Sequence, residues 1–250
     1  MKKPDTTCIL GVNIAITNIQ DATEYIISQL NDIRGRYICL SNAHTTVISR
    51  KNPNYCRVQN DAFLALPDGS PLVLVQRLRG FSKAERVAGP DIMPAIWKAT
   101  EHTKWKHFFY GGSPETIKAL ERNLREKYPG LNIAGMESPP YRPLTEEEDA
   151  QIVEKINMSG ADFLWVGLGA PKQENWMKAH QNKIQAVMLG VGAGFDFHAG
   201  TVKRAPKWMQ EHYLEWAYRL LQDPRRLWKR YVVTNFQFIA WCFREMIRKS

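Results

Sequence analysis

The feature that most constrains this chain is an alternation. Short, nearly continuous apolar segments recur through the first 200 residues, separated by stretches with helical start and stop signals. Arg36–Ser41 reads as a strand, with helical His44–Lys51 behind it. His107–Tyr110, Leu131–Met136, Asp162–Leu168 and Ala186–Val191 read as further strands. Between them, Ser113-Pro114-Glu115 combines an N-cap hydroxyl, a proline at the first helical position and an acid in the first turn. That helix should run through Lys118–Lys127 and stop at Pro129-Gly130. Thr145 and the three glutamates after it cap a helix running to about Met158, and Pro171–His180 is another. Such alternation builds βαβ units around a parallel sheet, and strands without a polar face suit a sheet covered on both sides. The expected class is α/β: a mostly parallel sheet flanked by helices.

Charge divides the chain in two. The net charge is +9, yet residues 201–250 alone hold eleven Lys/Arg against four acids, together with ten aromatics that include Trp208, Trp216, Trp228 and Trp241. Residues 1–200 are therefore near neutral and 201–250 are built for an anionic partner. In the tail, Trp208, Tyr213, Trp216, Leu220, Leu227, Tyr231 and Phe236 recur at mostly helical spacings, with Arg219, Arg225, Arg226, Lys229 and Arg230 between them. Two readings fit. One is an interfacial appendage, in which each basic residue near an anionic leaflet adds about 1 kcal/mol. The other is a terminal helix packed on the core with a solvated basic face; a mixed case, in which the segment both docks on membrane and closes over the donor, lies between them. A nucleic-acid partner is not expected, because the front is near neutral and no binding motif occurs. The longest apolar runs, around Phe163–Ala170 and Ala186–Phe197, are about ten residues, against the roughly 18–20 needed to span a bilayer. The N-terminus has no apolar signal segment, and Cys8, Cys39, Cys56 and Cys242 are scattered and too few for a disulfide framework. A cytoplasmic protein, held peripherally at the inner face of the membrane, is the expectation. A homo-oligomer is compatible with the sequence.

Several strand ends have the residues of a ligand site. One runs into Gly111-Gly112-Ser113, another into Gly167-Leu168-Gly169-Ala170-Pro171-Lys172-Gln173-Glu174, a third into Gly192-Ala193-Gly194-Phe195-Asp196, and the first into Asn42. Ligands of open α/β sheets bind beyond such ends, where helix N-termini offer free N–H groups to phosphate. Tight turns that need glycine for geometry alone are the alternative. Pro171 falls where a dinucleotide fingerprint would place its third glycine, so a phosphate-bearing nucleotide suits the pattern better than NAD. Asp68, in Pro67-Asp68-Gly69, is either a general base or a plain turn residue. Arg86 is either a phosphate clamp or a solvated charge. Asp196 either bonds a base edge or ribose, or caps a helix. The six histidines have no metal-ligand spacing, and no P-loop, Gly-x-Ser-x-Gly or Asp-x-Asp occurs. No metal or cofactor is expected; cationic side chains and helix dipoles would have to stabilise a leaving diphosphate.

Taken together in their order, Ser41-Asn42-Ala43, Pro67-Asp68-Gly69, Glu85-Arg86-Val87-Ala88-Gly89-Pro90-Asp91, Phe109-Tyr110-Gly111-Gly112, Gly167–Glu174, Gly192–Asp196 and Asp223–Tyr231 resemble the WecG/TagA/CpsF glycosyltransferase family over nearly the whole chain. The resemblance implies a Rossmann-like fold with a C-terminal appendage. It implies an inverting, metal-independent transfer of a sugar from a UDP donor to a polyprenyl-diphosphate-linked saccharide of teichoic acid, common antigen or capsule. The sugar is N-acetylmannosamine or its uronic acid, with glucose or another hexose as the alternative within the family; a nucleotide-sugar-binding protein without turnover is the alternative outside it. Carried over by position, Asp68 matches the catalytic base, and Arg86, also catalytic, lines the donor and diphosphate pocket. Asn42 lies by the donor sugar, and Gly111, Gly112, Gly167, Gly169, Lys172 and Gln173 line the donor pocket. Asp196 is near the uridine. Arg219, Arg226, Lys229 and Arg230 belong to the appendage. One departure is Leu40, where the family carries a threonine two residues before the asparagine; a hydroxyl there would have to come from Ser41, Thr45 or Thr46.

Overall fold

The computed structural model describes residues 1–247 apart from Tyr213, and leaves out the side chains of Glu211, Arg226, Lys229, Arg230, Tyr231 and Met246. An antiparallel hairpin, β1 (Thr6–Ile9) and β2 (Val12–Ala15), opens the chain, followed by α1 (Ile19–Ser28). Then come β3 (Tyr37–Ser41), α2 (Ala43–Lys51), α3 (Pro53–Asn60), β4 (Leu64–Pro67), α4 (Ser70–Leu78) and α5 (Gly89–Thr100). They are followed by β5 (Lys106–Gly111), α6 (Pro114–Lys127), β6 (Asn132–Glu137), α7 (Glu146–Met158), β7 (Phe163–Gly167), α8 (Lys172–Ala179), β8 (Val187–Gly190) and α9 (Gly194–Ala199). The tail forms α10 (Lys207–Glu211), α11 (Glu215–Gln222) and α12 (Pro224–Ile247).

The expected strands and helices are present to within a residue or two. The helix starts obey the stated chemistry: Ser113 Oγ accepts the Thr116 N–H at 3.1 Å, and Thr145 caps α7 in a capping box with Glu148. The hairpin, α1, α3, α4, α5 and the strand character of β4 carried no signal strong enough to read. β4 is four residues ending in proline, too short for a periodicity.

Six strands form one sheet in the order β4-β3-β8-β7-β5-β6, and every pair in it is parallel. The connection from β5 moves outward to β6, whereas that from β7 moves the other way to β8. With right-handed crossovers this places α6 and α8 on opposite faces. Leu120 and Leu124 of α6 pack with Phe109 and Trp165. Met177 of α8 packs with Tyr110 and Val166 on the other face. The chain reverses direction between β5 and β7, so a crevice opens at their carboxyl ends.

The core is aromatic. Trp97 meets Trp165 at 5.9 Å and Tyr128 at 5.6 Å, both edge-on. His107 is fully buried among these rings. Its Nδ1 accepts from Trp165 Nε1 at 3.1 Å, and its Nε2 lies 3.0 Å from Thr100 Oγ1. The Thr100 hydroxyl donates to Ile96 O at 2.7 Å, so Nε2 carries the proton and the imidazole is neutral. Burial holds its pKa down at about 3.

α12 lies along α2. Thr234 reaches His44 at 3.4 Å, Lys51 donates to Gln237 at 2.8 Å, and Glu245 pairs with Arg79 of the segment after α4 at 3.2 Å. Leu227, Thr234, Phe238 and Cys242 are buried. Val232, Phe236, Ile239, Phe243 and Ile247 are exposed, and helical spacing puts them on the opposite face. Of the tail residues read at helical spacings, Leu227 is buried, whereas Trp208 of α10, Trp216 of α11 and Phe236 of α12 are exposed; α12 buries one apolar side and leaves another uncovered. Tyr213 lies outside the described residues, as does the Tyr231 side chain. Among the described residues no helix is long and apolar enough to cross a membrane.

Candidate active site

The expected residues gather along the carboxyl edge of the sheet. Asp68 follows β4 directly, and its N–H donates to Ser41 O at 2.8 Å, which extends the β3–β4 ladder by one bond. Its carboxylate is thus fixed beside the end of β3. Oδ2 accepts from Asn42 Nδ2 at 3.4 Å, and Oδ1 from the Gly89 N–H at 3.3 Å. That N–H is one of the unsatisfied donors at the start of α5. A Cβ on Gly89 would stand 2.9 Å from Val191 O, so glycine is what lets the loop after β8 lie against this helix start. Desolvation pushes the Asp68 pKa up; the Arg86 charge, the Asn42 amide and the Gly89 N–H pull it back only in part, and Glu215 adds to the rise. A carboxylate held in this way at a strand end is tuned toward proton acceptance.

Asn42 is oriented by the helix it caps. Its Oδ1 accepts from the His44 and Thr45 N–H groups at 3.0 and 3.2 Å, and Thr45 Oγ1 accepts the Asn42 N–H at 2.9 Å. Since the oxygen is taken by the α2 start, the amide nitrogen is the end that faces Asp68. Leu40 is buried and takes no part. Thr45 and Thr46 are also buried, bonded to Asn42 O at 3.0 and 3.1 Å. Ser41 Oγ donates to Gln59 Oε1 at 2.5 Å.

Arg86 is no solvated charge. Nη1 donates to Glu215 Oε2 of α11, and Nη2 to Asp91 Oδ2 at 3.3 Å. Arg204 grips the same Asp91 with two bonds, 2.6 and 2.7 Å, and its Nε reaches Glu215 Oε1 at 3.3 Å. Two arginines and two carboxylates therefore alternate around a closed ring next to Asp68. Arg204, Asp91 and Glu215 carried no functional assignment in the sequence. Asp91 stood within a quoted motif, and the other two had no local signal.

Further along the edge, Gly111 faces Gly167 in the β5–β7 register. A Cβ on Gly111 would sit 2.5 Å from the Gly167 carbonyl carbon, and Gly111 has φ 129°. A Cβ on Gly167 would meet the Phe195 ring at 2.6 Å. Strand approach and packing are enough to require glycine at both positions. The Gly112 N–H donates to Gly167 O at 3.2 Å. Asp196 is half-buried, and its Oδ1 accepts from Thr116 Oγ1 at 3.3 Å at the start of α6. Lys172 is exposed at the start of α8.

Gln173 is buried, with both ends of its amide engaged. Oε1 accepts the Gly169 N–H at 3.1 Å and Nε2 donates to Glu174 Oε1 at 2.9 Å. Tyr55 OH donates to the other Glu174 oxygen at 3.1 Å. Gln173 thus shapes the β7–α8 loop from beneath. Arg219 stacks over Phe197, 5.3 Å from the ring centre. The helix passes through Arg226, Lys229 and Arg230, whose side chains lie outside the described residues. Among the described residues no three His, Cys, Asp or Glu side chains cluster as metal ligands.

A doubly wound α/β protein with a carboxylate-centred site at the carboxyl edge of its sheet is the class these features define. A model described as the glycosyl transferase WecG/TagA/CpsF family matches residues 7–250. The chain belongs to that family and is a glycosyltransferase. It is 33% identical over 202 residues to the N-acetylglucosaminyldiphosphoundecaprenol N-acetyl-beta-D-mannosaminyltransferase of Bacillus spizizenii, covering 80% of this chain and 76% of the relative. The protein of the same name from Bacillus subtilis is 30% identical, covering 90% of this chain and 86% of the relative. That of Staphylococcus aureus is 26% identical over 97% and 94%.

Proposed function

We propose that the chain transfers N-acetylmannosamine, or its uronic acid, from a UDP donor to a polyprenyl-diphosphate-linked N-acetylglucosamine, with inversion, in cell-surface polymer synthesis of the teichoic acid type. The observation that carries this reading is Asp68, half-buried at the end of β4, hydrogen-bonded by Asn42 and the α5 start, with its proton affinity raised. The names of the relatives supply the sugar and the acceptor. In the reaction, Asp68 takes the proton of an acceptor hydroxyl. That oxygen attacks the anomeric carbon from the face opposite the nucleotide, and the bond from that carbon to the UDP oxygen breaks, its electron pair leaving with UDP. Arg86 and helix N–H groups meet the developing charge, a contribution typically worth about 10²–10³ in rate per donor.

Residues 1–200 form the catalytic unit in this reading and 201–250 the membrane-associating appendage. Support for the latter comes from the outward face of α12, where Val232, Phe236, Ile239, Phe243 and Ile247 are exposed. An amphipathic helix of this kind lies in the headgroup plane; in this reading the site works at the inner face of the cytoplasmic membrane, with the lipid acceptor.

The test is UDP release from a panel of UDP-sugars in EDTA, with a lipid-diphosphate-N-acetylglucosamine acceptor. Release with UDP-N-acetylmannosamine or its uronic acid is expected. Release with UDP-glucose alone overturns the donor assignment, and a requirement for added metal overturns the mechanism.

A further inference from the structure

The ion-pair ring has a member that belongs to neither the base nor the expected phosphate clamp. Asp91 lies five residues after Arg86 on the same segment of the core, whereas Glu215 enters from the first turn of α11. Its carboxylate is bridging: Oε2 takes Arg86 and Oε1 takes Arg204 at 3.3 Å. The Arg86 and Glu215 side chains are only 19% and 15% exposed. This pair is thus shielded beyond the solvent-washed kind that contributes little. One turn along the same helix, Arg219 sits over Phe197, so α11 is seated on the core at two points.

We propose that Glu215 is a positioning residue: a carboxylate contributed by the C-terminal appendage that aims the Arg86 guanidinium into the site beside Asp68. The inference rests on the transferase reading above. A guanidinium has five N–H donors, and the ring uses one on each terminal nitrogen, which leaves three for a diphosphate. One anchor would let the planar group swivel about its bond; two anchors, on Nη1 and Nη2, fix the plane. Asp91 supplies the anchor that belongs to the core, and Glu215 the one that exists only when α11 is in place. The ring itself is charge-neutral, so what Glu215 adds is orientation rather than attraction for the donor. The active site is then complete only with the appendage docked, through a carboxylate and not only through its cations.

The experiment uses the full-length chain and Glu215→Gln, with Glu215→Asp as the conservative variant. The amide keeps the size of the side chain but turns an N–H toward one of the two arginines. Transfer from UDP-N-acetylmannosamine to the lipid-linked acceptor should show kcat down roughly tenfold to a hundredfold in Glu215→Gln, the range expected for a misplaced catalytic group. The donor KM should change far less, and Glu215→Asp should recover part of the loss. The second readout needs no turnover: the titration of the Asp68 carboxyl followed by infrared difference spectroscopy, with Asp68→Asn as the blank. Asp68 is faced by Arg86, the Asn42 amide, the Gly89 N–H and Glu215. Deleting the Glu215 charge alone moves the Asp68 titration to lower pH. A guanidinium that has swung away moves it to higher pH, which is the expected result. Wild-type kcat with an unmoved or lowered titration overturns the proposal, as does tighter UDP binding, which would mean that Glu215 competes for Arg86. If wild type transfers from no UDP-sugar, the transferase reading falls, and the titration still decides the role of Glu215.

Discussion

At the scale of single residues, burial shifts the protonation of Asp68 and of His107 with opposite consequences. Asp68 has a raised pKa in the fold, so the folded state favours its protonated form. Its contribution to stability is complete below the unfolded value near 3.8 and is lost as pH rises through the folded value. At neutral pH an ionised carboxylate at this position is therefore a stability cost. Asp68→Asn, a neutral isostere, should raise the melting temperature at pH 7, with the gain fading at acid pH. The same variant should lose about 10²–10⁴ in transfer rate while still binding UDP by calorimetry. Wild-type turnover would remove Asp68 as the base. His107 has the reverse sign. Its folded pKa is about 3 against an ordinary 6.5, so its neutral form stabilises the fold above about 6.5 and the contribution drains away as pH falls toward 3. Protonating Nδ1 also removes the acceptor of Trp165. The urea midpoint should fall steadily from pH 6.5 to 4, and a flat profile there contradicts this.

Elements turn local signals into site geometry. Asn42 does two jobs with one amide: its oxygen caps α2 and its nitrogen bonds Asp68. Asn42→Ala should cost about 1 kcal/mol of stability, as a lost N-cap does, and should cut transfer by more than that loss explains. Chemical denaturation and kinetics on one preparation separate the two effects. α12 separates its duties by face. Phe238 on the inner face is buried, so Phe238→Ala should cost about 3–5 kcal/mol. Phe236 and Phe243 on the outer face are 74% and 60% exposed. Changing both to Ser should leave the melting temperature nearly unchanged and sharply reduce co-sedimentation with anionic phosphatidylglycerol vesicles. Undiminished vesicle binding would show that the basic residues suffice without the apolar face.

For the whole molecule, the strand order brings together residues that the chain keeps far apart. Asp68 and Asn42 end the neighbouring strands β4 and β3, and the loop after β8 packs against the Gly89 start of α5. The α/β class, the parallel sheet, five of its six strands and the caps at Ser113 and Thr145 were legible in the sequence. Periodicity and capping act within a few residues, so a local pattern carries them completely. The edge position of Asn42 was legible for the same reason, because it directly follows an apolar strand; that of Asp68 was not, because β4 is four residues ending in proline. What only the tertiary structure decided is which polar groups meet. Gln173 turns out to be buried with both amide ends engaged, Gly111 and Gly167 answer to strand packing, and the outward apolar face of α12 depends on which side α2 covers. Arg86 finds Glu215 across 129 residues and Arg204 finds Asp91 across 113. No residue near either partner in sequence records such a pairing, since an ion pair is made by the path of the intervening chain and costs little to leave unmade while both charges stay in water.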